Sequence, residues 1–213
     1  EEYIREKDLK IGDHVLIERA GDVIPQIVKS LIELRTGSEI SIEFPKTCPV
    51  CNSQLFKEDT EAVWRCINIE CEAQVVEKMI HFVSKDAMDI KSFGDANVRK
   101  FYELGILKDI PGIYQLPFET IGAIEGFGKK SIDNLQAAIE GSKQQPLHRL
   151  IYGLGIRFVG ETTAKTLANS VENIFDFASK SEEELLQLED VGVKVAKSIH
   201  EFFKNEQNIK MLR

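Results

Sequence analysis

Hydrophobic and polar positions change rhythm along the chain. Residues 11–28 (Ile11-Gly12-Asp13-His14-Val15-Leu16-Ile17, continuing to Ile27-Val28) read as two short strands joined at Arg19-Ala20-Gly21-Asp22. Ile40-Ser41-Ile42-Glu43-Phe44 alternates and predicts an extended connection. Two or three strands cannot close a barrel or bury a core, so this stretch looks like half of a small β-barrel. After Cys71 the pattern becomes helical and repeats.

The repeat is an apolar residue, then glycine, then an immediate helix start. It recurs at Ser92-Phe93-Gly94, Gly126-Phe127-Gly128, Phe158-Val159-Gly160 and Asp190-Val191-Gly192. The second glycine positions, Gly94, Gly128, Gly160 and Gly192, lie 34, 32 and 32 residues apart. Four residues after each comes Val98, Ile132, Ala164 or Ala196, and four before each comes Ile90, Ile124, Ile156 or Leu188. This is the layout of a helix-hairpin-helix, in which glycine permits a tight turn and close backbone approach. The next helix then starts with unpaired N–H groups, an anion site suited to a DNA phosphate. Lys129, Lys130, Lys194 and Lys197 follow two of the glycines, and Thr162 and Thr163 follow a third. The same layout also serves plain αα-hairpins and protein-binding scaffolds. Gly126-Phe127-Gly128-Lys129-Lys130-Ser131 is no phosphate loop, because Ala123 stands where that motif needs glycine.

Composition narrows the partners. The 213 residues give room for one large domain or a string of small ones, with 43 % hydrophobic and 29 % charged residues in the range of globular chains. No apolar run is long enough for a membrane helix, and Glu1-Glu2-Tyr3-Ile4-Arg5-Glu6-Lys7 lacks a signal-peptide layout. The net charge is −8, which argues against a surface that binds nucleic acid everywhere. Basic and acidic residues number 7 and 10 in 1–47, 2 and 4 in 48–71, and 18 and 21 in 72–213, so no segment is basic. DNA contact must therefore come from local amides and a few cations.

All four cysteines fall within 24 residues as Cys48, Cys51, Cys66 and Cys71. The spacing suits a tetrahedral zinc held by four thiolates, and a closed site of this kind is structural. Two disulfides are the alternative, expected of secreted proteins. The metal would pin a module with few apolar residues beyond Val50, Leu55, Phe56, Val63 and Trp64, and Trp64 is expected to pack rather than to stack on a base. His14, His81, His148 and His200 have no metal spacing and read as surface or packing residues. Glu182-Glu183-Glu184 after Ser181 reads as a capped helix start, not a nuclease metal cluster.

Together, Ile11-Gly12-Asp13 with Arg19-Ala20-Gly21-Asp22-Val23-Ile24-Pro25, the four cysteines and the four hairpins in this order resemble the bacterial NAD-dependent DNA ligases. The resemblance covers nearly the whole chain. It implies a mainly α fold with a small β part: a partial oligonucleotide-binding (OB) fold over 1–47, a four-cysteine zinc finger over 48–71 and a helix-hairpin-helix DNA-binding domain over 72–213. In such ligases these modules follow a nucleotidyltransferase domain and precede a small phosphopeptide-type module. Carried over by position, Arg19, Val23 and Ile24 look like barrel residues facing a nicked duplex. Gly94, Gly128, Gly160 and Gly192, with Lys129, Lys130, Thr162 and Lys194, look like the hairpin contacts. Ser92, Phe158 and Asp190 depart from the Gly-apolar-Gly form, and Asp190 beside a phosphate would be repulsive. Val98 and Ile132 replace the small residue expected there.

The family forms a lysyl-AMP from NAD at a Lys-x-Asp-Gly motif and seals nicks with magnesium. That motif does not occur in this chain, so the chain alone is expected to hold zinc and DNA without adenylating itself. The resemblance implies nicked double-stranded DNA and the nucleotidyltransferase domain as partners, and a cytoplasmic, nucleoid-associated location. A zinc and helix-hairpin-helix scaffold for repair proteins is the rival reading.

Overall fold

The chain folds as two units, Glu1–Cys71 and Glu72–Arg213. The structure, a computed structural model, describes residues 1–21, 24–58 and 61–213. Its architecture is mainly α, with short strands confined to the first unit.

In the first unit a short helix α1 (Glu2–Glu6) leads into β1 (Lys10–Ile11), β2 (Val15–Ala20) and β3 (Ile24–Ser30). A 3₁₀ turn (Ile32–Leu34) and β4 (Ile40–Ser41) follow. β2 and β3 form an antiparallel hairpin that pairs Val15 with Ser30 and Arg19 with Pro25, with a register shift between Leu16 and Ile17. β1 pairs with β4 rather than with its neighbour in sequence, so the stretch expected as an extended connection is partly a strand. α1 is tied to the hairpin by side chains reaching backbone. The Tyr3 hydroxyl donates to the Ile27 carbonyl (2.5 Å) and the Lys7 ammonium to the Val28 carbonyl (2.6 Å). Ile11, Leu16, Ile17, Ile24 and Ile40 all remain exposed. That is what strands of a partial OB fold do when too few are present to enclose a core. The zinc-finger stretch adds only β5 (Leu55–Phe56) paired with β6 (Arg65–Cys66).

The second unit is built from α2 (Glu72–Val83), α3 (Asp95–Glu103), α4 (Ile110–Ile113), α5 (Phe118–Gly122) and α6 (Lys129–Ser142). It continues through α7 (Leu147–Gly153), α8 (Glu161–Asn169), a 3₁₀ segment (Ile174–Ser179), α9 (Glu182–Leu185), α10 (Val193–Lys204) and α11 (Glu206–Leu212). Amphipathic spacing explains the helices. In α10, Ala196, Ile199 and Phe203 are buried while Lys197 and Glu201 face water. Two apolar clusters result. Phe82, Phe93, Phe101, Leu107 and Leu135 centre the first, around hairpins one and two. Ile151, Leu167, Phe177, Leu185 and Phe203 centre the second, around hairpins three and four. α2 and α7 join the two clusters where Gly153 lets the backbones close. A Cβ there would lie 3.3 Å from Ala87 Cβ and Phe82 Cδ2. His81 packs edge-on against Tyr152, with ring centroids 4.8 Å apart.

Ser181 caps α9 as its sequence suggests. The Glu184 N–H donates to its hydroxyl (3.2 Å), and the Ser181 N–H donates to the Glu184 carboxylate (2.8 Å). The larger residues at two repeat positions are accommodated: Val98 is fully buried, and Gly122 leaves room for the Ile132 side chain, whose Cδ1 is 3.0 Å from where a Cβ would be.

Candidate nucleic-acid interface and metal centre

Each of the four hairpins is built from the same turn. The N–H before the repeated glycine donates to the carbonyl of the aliphatic residue three positions earlier. Phe93 bonds Ile90 (3.2 Å), Phe127 bonds Ile124 (3.1 Å), Val159 bonds Ile156 (3.0 Å) and Val191 bonds Leu188 (3.3 Å). The third residue of the turn takes the left-handed conformation: Ser92 at φ 64°, Gly126 at 93°, Phe158 at 64° and Asp190 at 59°. That is the turn in which glycine is favoured at this position. The residues departing from the Gly-apolar-Gly form therefore occupy the demanding position, and Asp190 is among the few types that tolerate it.

The repeated glycine does something different from what the sequence suggests. Gly94, Gly128, Gly160 and Gly192 are the residues preceding α3, α6, α8 and α10, at φ −81 to −87° with extended ψ. Any residue adopts that conformation. A Cβ built on any of the four meets nothing within 4 Å. The tight turn is thus made two residues earlier, and neither backbone strain nor internal crowding requires glycine at these four places.

The helix starts beyond them are open. No side chain at the capping position bonds back onto α3, α6, α8 or α10. Side chains cap four other helical starts, Asp109 on α4, Asn173 on the 3₁₀ segment, Ser181 on α9 and Asn205 on α11, while α1, α5, α7 and the Ile32–Leu34 turn have no side-chain cap either. Open N–H groups at a helix start, on the positive end of the helix dipole, favour an anion. Lys129, Lys130, Thr162 and Lys194 are exposed beside these starts. The hairpins are not electrostatically equal. Asp95 and Glu161 begin α3 and α8 and are paired with Arg99 (2.5 Å) and Lys165 (2.7 Å), whereas α6 begins with two lysines.

In the first unit, Arg19 and Ile24 are exposed, in successive pairs of the β2–β3 hairpin (Arg19 with Pro25, Ala20 with Ile24). Val23 lies outside the described residues. A bidentate clamp that the sequence did not reveal holds this unit together. Arg35 donates from Nε to Asp13 Oδ1 (2.7 Å) and from Nη2 to Asp13 Oδ2 (2.8 Å), and its Nη1 donates to Asp8 Oδ2 (2.7 Å). The Asp13 side chain is 1 % exposed. The Arg35 guanidinium pulls its pKa down from 3.8 to about 2.

The four cysteines converge, with every Sγ within 4.8 Å of the others. Cys48 and Cys71 sulfurs are 3.9 Å apart, and Cys51 and Cys66 sulfurs 3.5 Å. Thiolates about 2.3 Å from a tetrahedral zinc lie roughly 3.8 Å from one another, so the donor set fits zinc. All four thiols are free, and their mutual approach within 4.8 Å suits one shared metal better than two separate disulfides. A tight turn makes the first knuckle: Asn52 N–H donates to the Cys48 carbonyl (2.9 Å), and Cys48 N–H to the Ser53 carbonyl (2.8 Å). Hydrogen bonds from the Ser53 side chain and then its backbone pull the Cys51 thiol down to about 6, whereas Cys66, despite a backbone hydrogen bond from Asn68, is pushed up to about 11 by burial and the neighbouring thiols. Trp64 does not pack as expected. It is 42 % exposed and donates from Nε1 to the Glu1 carboxylate (2.6 Å). Val50, Phe56 and Val63 are exposed too, so the metal, not an apolar core, would hold this module. Among the described residues this cysteine cluster is the one metal-ligating group, and no histidine joins it. No described helix is long and apolar enough to cross a membrane.

Three family models match. Residues 1–39 match the NAD-dependent DNA ligase OB-fold domain, 47–73 the NAD-dependent DNA ligase C4 zinc finger domain, and 149–212 a helix-hairpin-helix motif. The third match spans hairpins three and four. Curated relatives include proteins named DNA ligase from Sulfurihydrogenibium azorense (60 % identical), Persephonella marina (59 %) and Aquifex aeolicus (50 %). Each match covers all of this chain and 30 % of the relative, so the chain spans under a third of those proteins.

Proposed function

Because the chain corresponds to the OB-fold, C4 zinc-finger and helix-hairpin-helix stretch of the NAD-dependent DNA ligases, we propose that it is the DNA-clamping part of such an enzyme. Its task is to hold nicked duplex DNA against a nucleotidyltransferase domain during replication and repair, in the bacterial cytoplasm. AMP transfer with NAD and magnesium belongs to that other domain, and this stretch carries no adenylating lysine of its own. Residues 1–47, 48–71 and 72–213 act as the barrel, metal and hairpin modules.

The four repeated glycines carry the reading. They stand at unstrained positions with empty space beside them, before helix starts that no side chain caps. Serine, aspartate or asparagine would serve a helix start at least as well, so glycine at all four equivalent places is explained by something outside the fold approaching the backbone there. A phosphate is the partner such amides suit. It also suits an acidic chain, since this contact uses backbone dipoles with only Lys129, Lys130, Thr162 and Lys194 in support. Arg19, Val23 and Ile24 extend the contact from the barrel. The contacts are to phosphate and sugar, so binding is independent of sequence. Cys48, Cys51, Cys66 and Cys71 hold one zinc with no open position, and the metal supplies rigidity rather than chemistry.

Anisotropy titration of a labelled nicked duplex, with zinc confirmed bound, tests the reading. Affinity should fall steeply between about 50 and 200 mM salt, as expected when several phosphates are neutralised. Absence of binding at the lower salt would favour the scaffold for repair proteins.

A further inference from the structure

Phe158 holds a position for which neither its turn nor the apolar core selects a phenylalanine. Its backbone is left-handed, at φ 64°, a conformation unfavourable for a bulky side chain. The equivalent turn positions carry Ser92, Gly126 and Asp190, of which glycine and aspartate visit this conformation most readily. The turn therefore does not select phenylalanine. Packing does not select it either. The neighbouring Val159 belongs to the apolar cluster around hairpins three and four, whereas Phe158 lies outside that cluster and is 42 % exposed. Two cations flank the ring: the Arg157 guanidinium 4.6 Å from its centroid, and the Lys194 ammonium, from the fourth hairpin, 5.7 Å away. Val193, beside Lys194, is exposed as well.

We propose that Phe158 is an apolar anchor for duplex DNA, packing on sugar and base edges between phosphates contacted by Arg157 and Lys194. This rests on the DNA-binding reading above and adds a contact of a different kind to it. An exposed ring framed by cations matches a surface on which apolar sugar and base edges alternate with phosphates. Minor-groove-binding proteins also bring phenylalanine and other apolar side chains to the bases, there as wedges between base steps. The side chain, on this view, is kept in spite of its backbone cost.

The rival role is a cation–π staple joining hairpins three and four, and the two roles predict opposite effects on stability. Phe158→Gly removes the ring and relieves the left-handed strain. As an anchor, its loss should leave the melting temperature of the zinc-loaded chain unchanged or raised. Affinity for nicked duplex should fall about tenfold, in line with aromatic contacts to nucleic acids, and the salt dependence should keep its slope. Phe158→Leu, which keeps an apolar side chain, should recover part of the affinity. Lys194→Ala should instead flatten the salt slope by about 0.9, one phosphate's worth. Undiminished binding by Phe158→Gly overturns the anchor while leaving the clamp intact. So does a variant that melts lower and loses affinity only in step with its stability. A parent chain that fails to bind duplex at low salt overturns the clamp, and the anchor with it.

Discussion

At the residue scale the chain separates two demands that glycine usually meets together. The left-handed turn position is filled by serine, glycine, phenylalanine or aspartate, while the position before the helix is always glycine. Gly160→Val should therefore fold with a small loss, about 1 kcal/mol for a poorer residue at the helix start, and with a disproportionate one in DNA affinity. Zinc content should be unchanged. Calorimetry beside anisotropy separates the two effects, and affinity equal to the parent's would remove the phosphate role at that hairpin. A second residue-scale expectation concerns Asp13. Its folded pKa of about 2 lies below its ordinary 3.8, so the stability it contributes is complete above about pH 4 and disappears as pH falls through 2. Following the Asp13 carboxyl carbon by NMR should show that low midpoint, moving up toward the ordinary value in Arg35→Ala. A midpoint unmoved by the substitution would contradict the clamp.

At the element scale, the parts legible in the sequence were those written in local spacing. The two strands and the Ser181 cap rest on residues a few positions apart, while the cysteines and the hairpins are marked by a distinctive residue type at a recurring spacing. The Arg35–Asp13 clamp joins residues 22 apart in sequence, and no local pattern announces it. The pairing of β1 with β4 was hidden for the same reason, as each strand has only two residues. Trp64 has the residue type of a core position, yet the zinc module is too small to provide a core. The true turn positions were obscured because only Gly126 carries the residue that marks a left-handed conformation. The near-absence of a core in the zinc module has a consequence for chelation. Removing zinc should unfold residues 48–71, seen as loss of amide dispersion there, while the apolar clusters of the second unit keep their melting transition. A finger that stays ordered after chelation would show that the metal is dispensable.

At the scale of the whole molecule, an acidic chain binding a polyanion is an electrostatic puzzle that bulk charge cannot resolve. The four glycine-led helix starts resolve it, because their field is local and falls off within the first turn. Contact between these amides and phosphate is read by following the backbone amide resonances of the zinc-loaded chain as nicked duplex is added. The largest shifts should fall at residues 94–97, 128–131, 160–163 and 192–195, with the capped starts of α4, α9 and α11 unaffected. Shifts confined to other surfaces, or spread evenly over exposed lysines, would contradict the account.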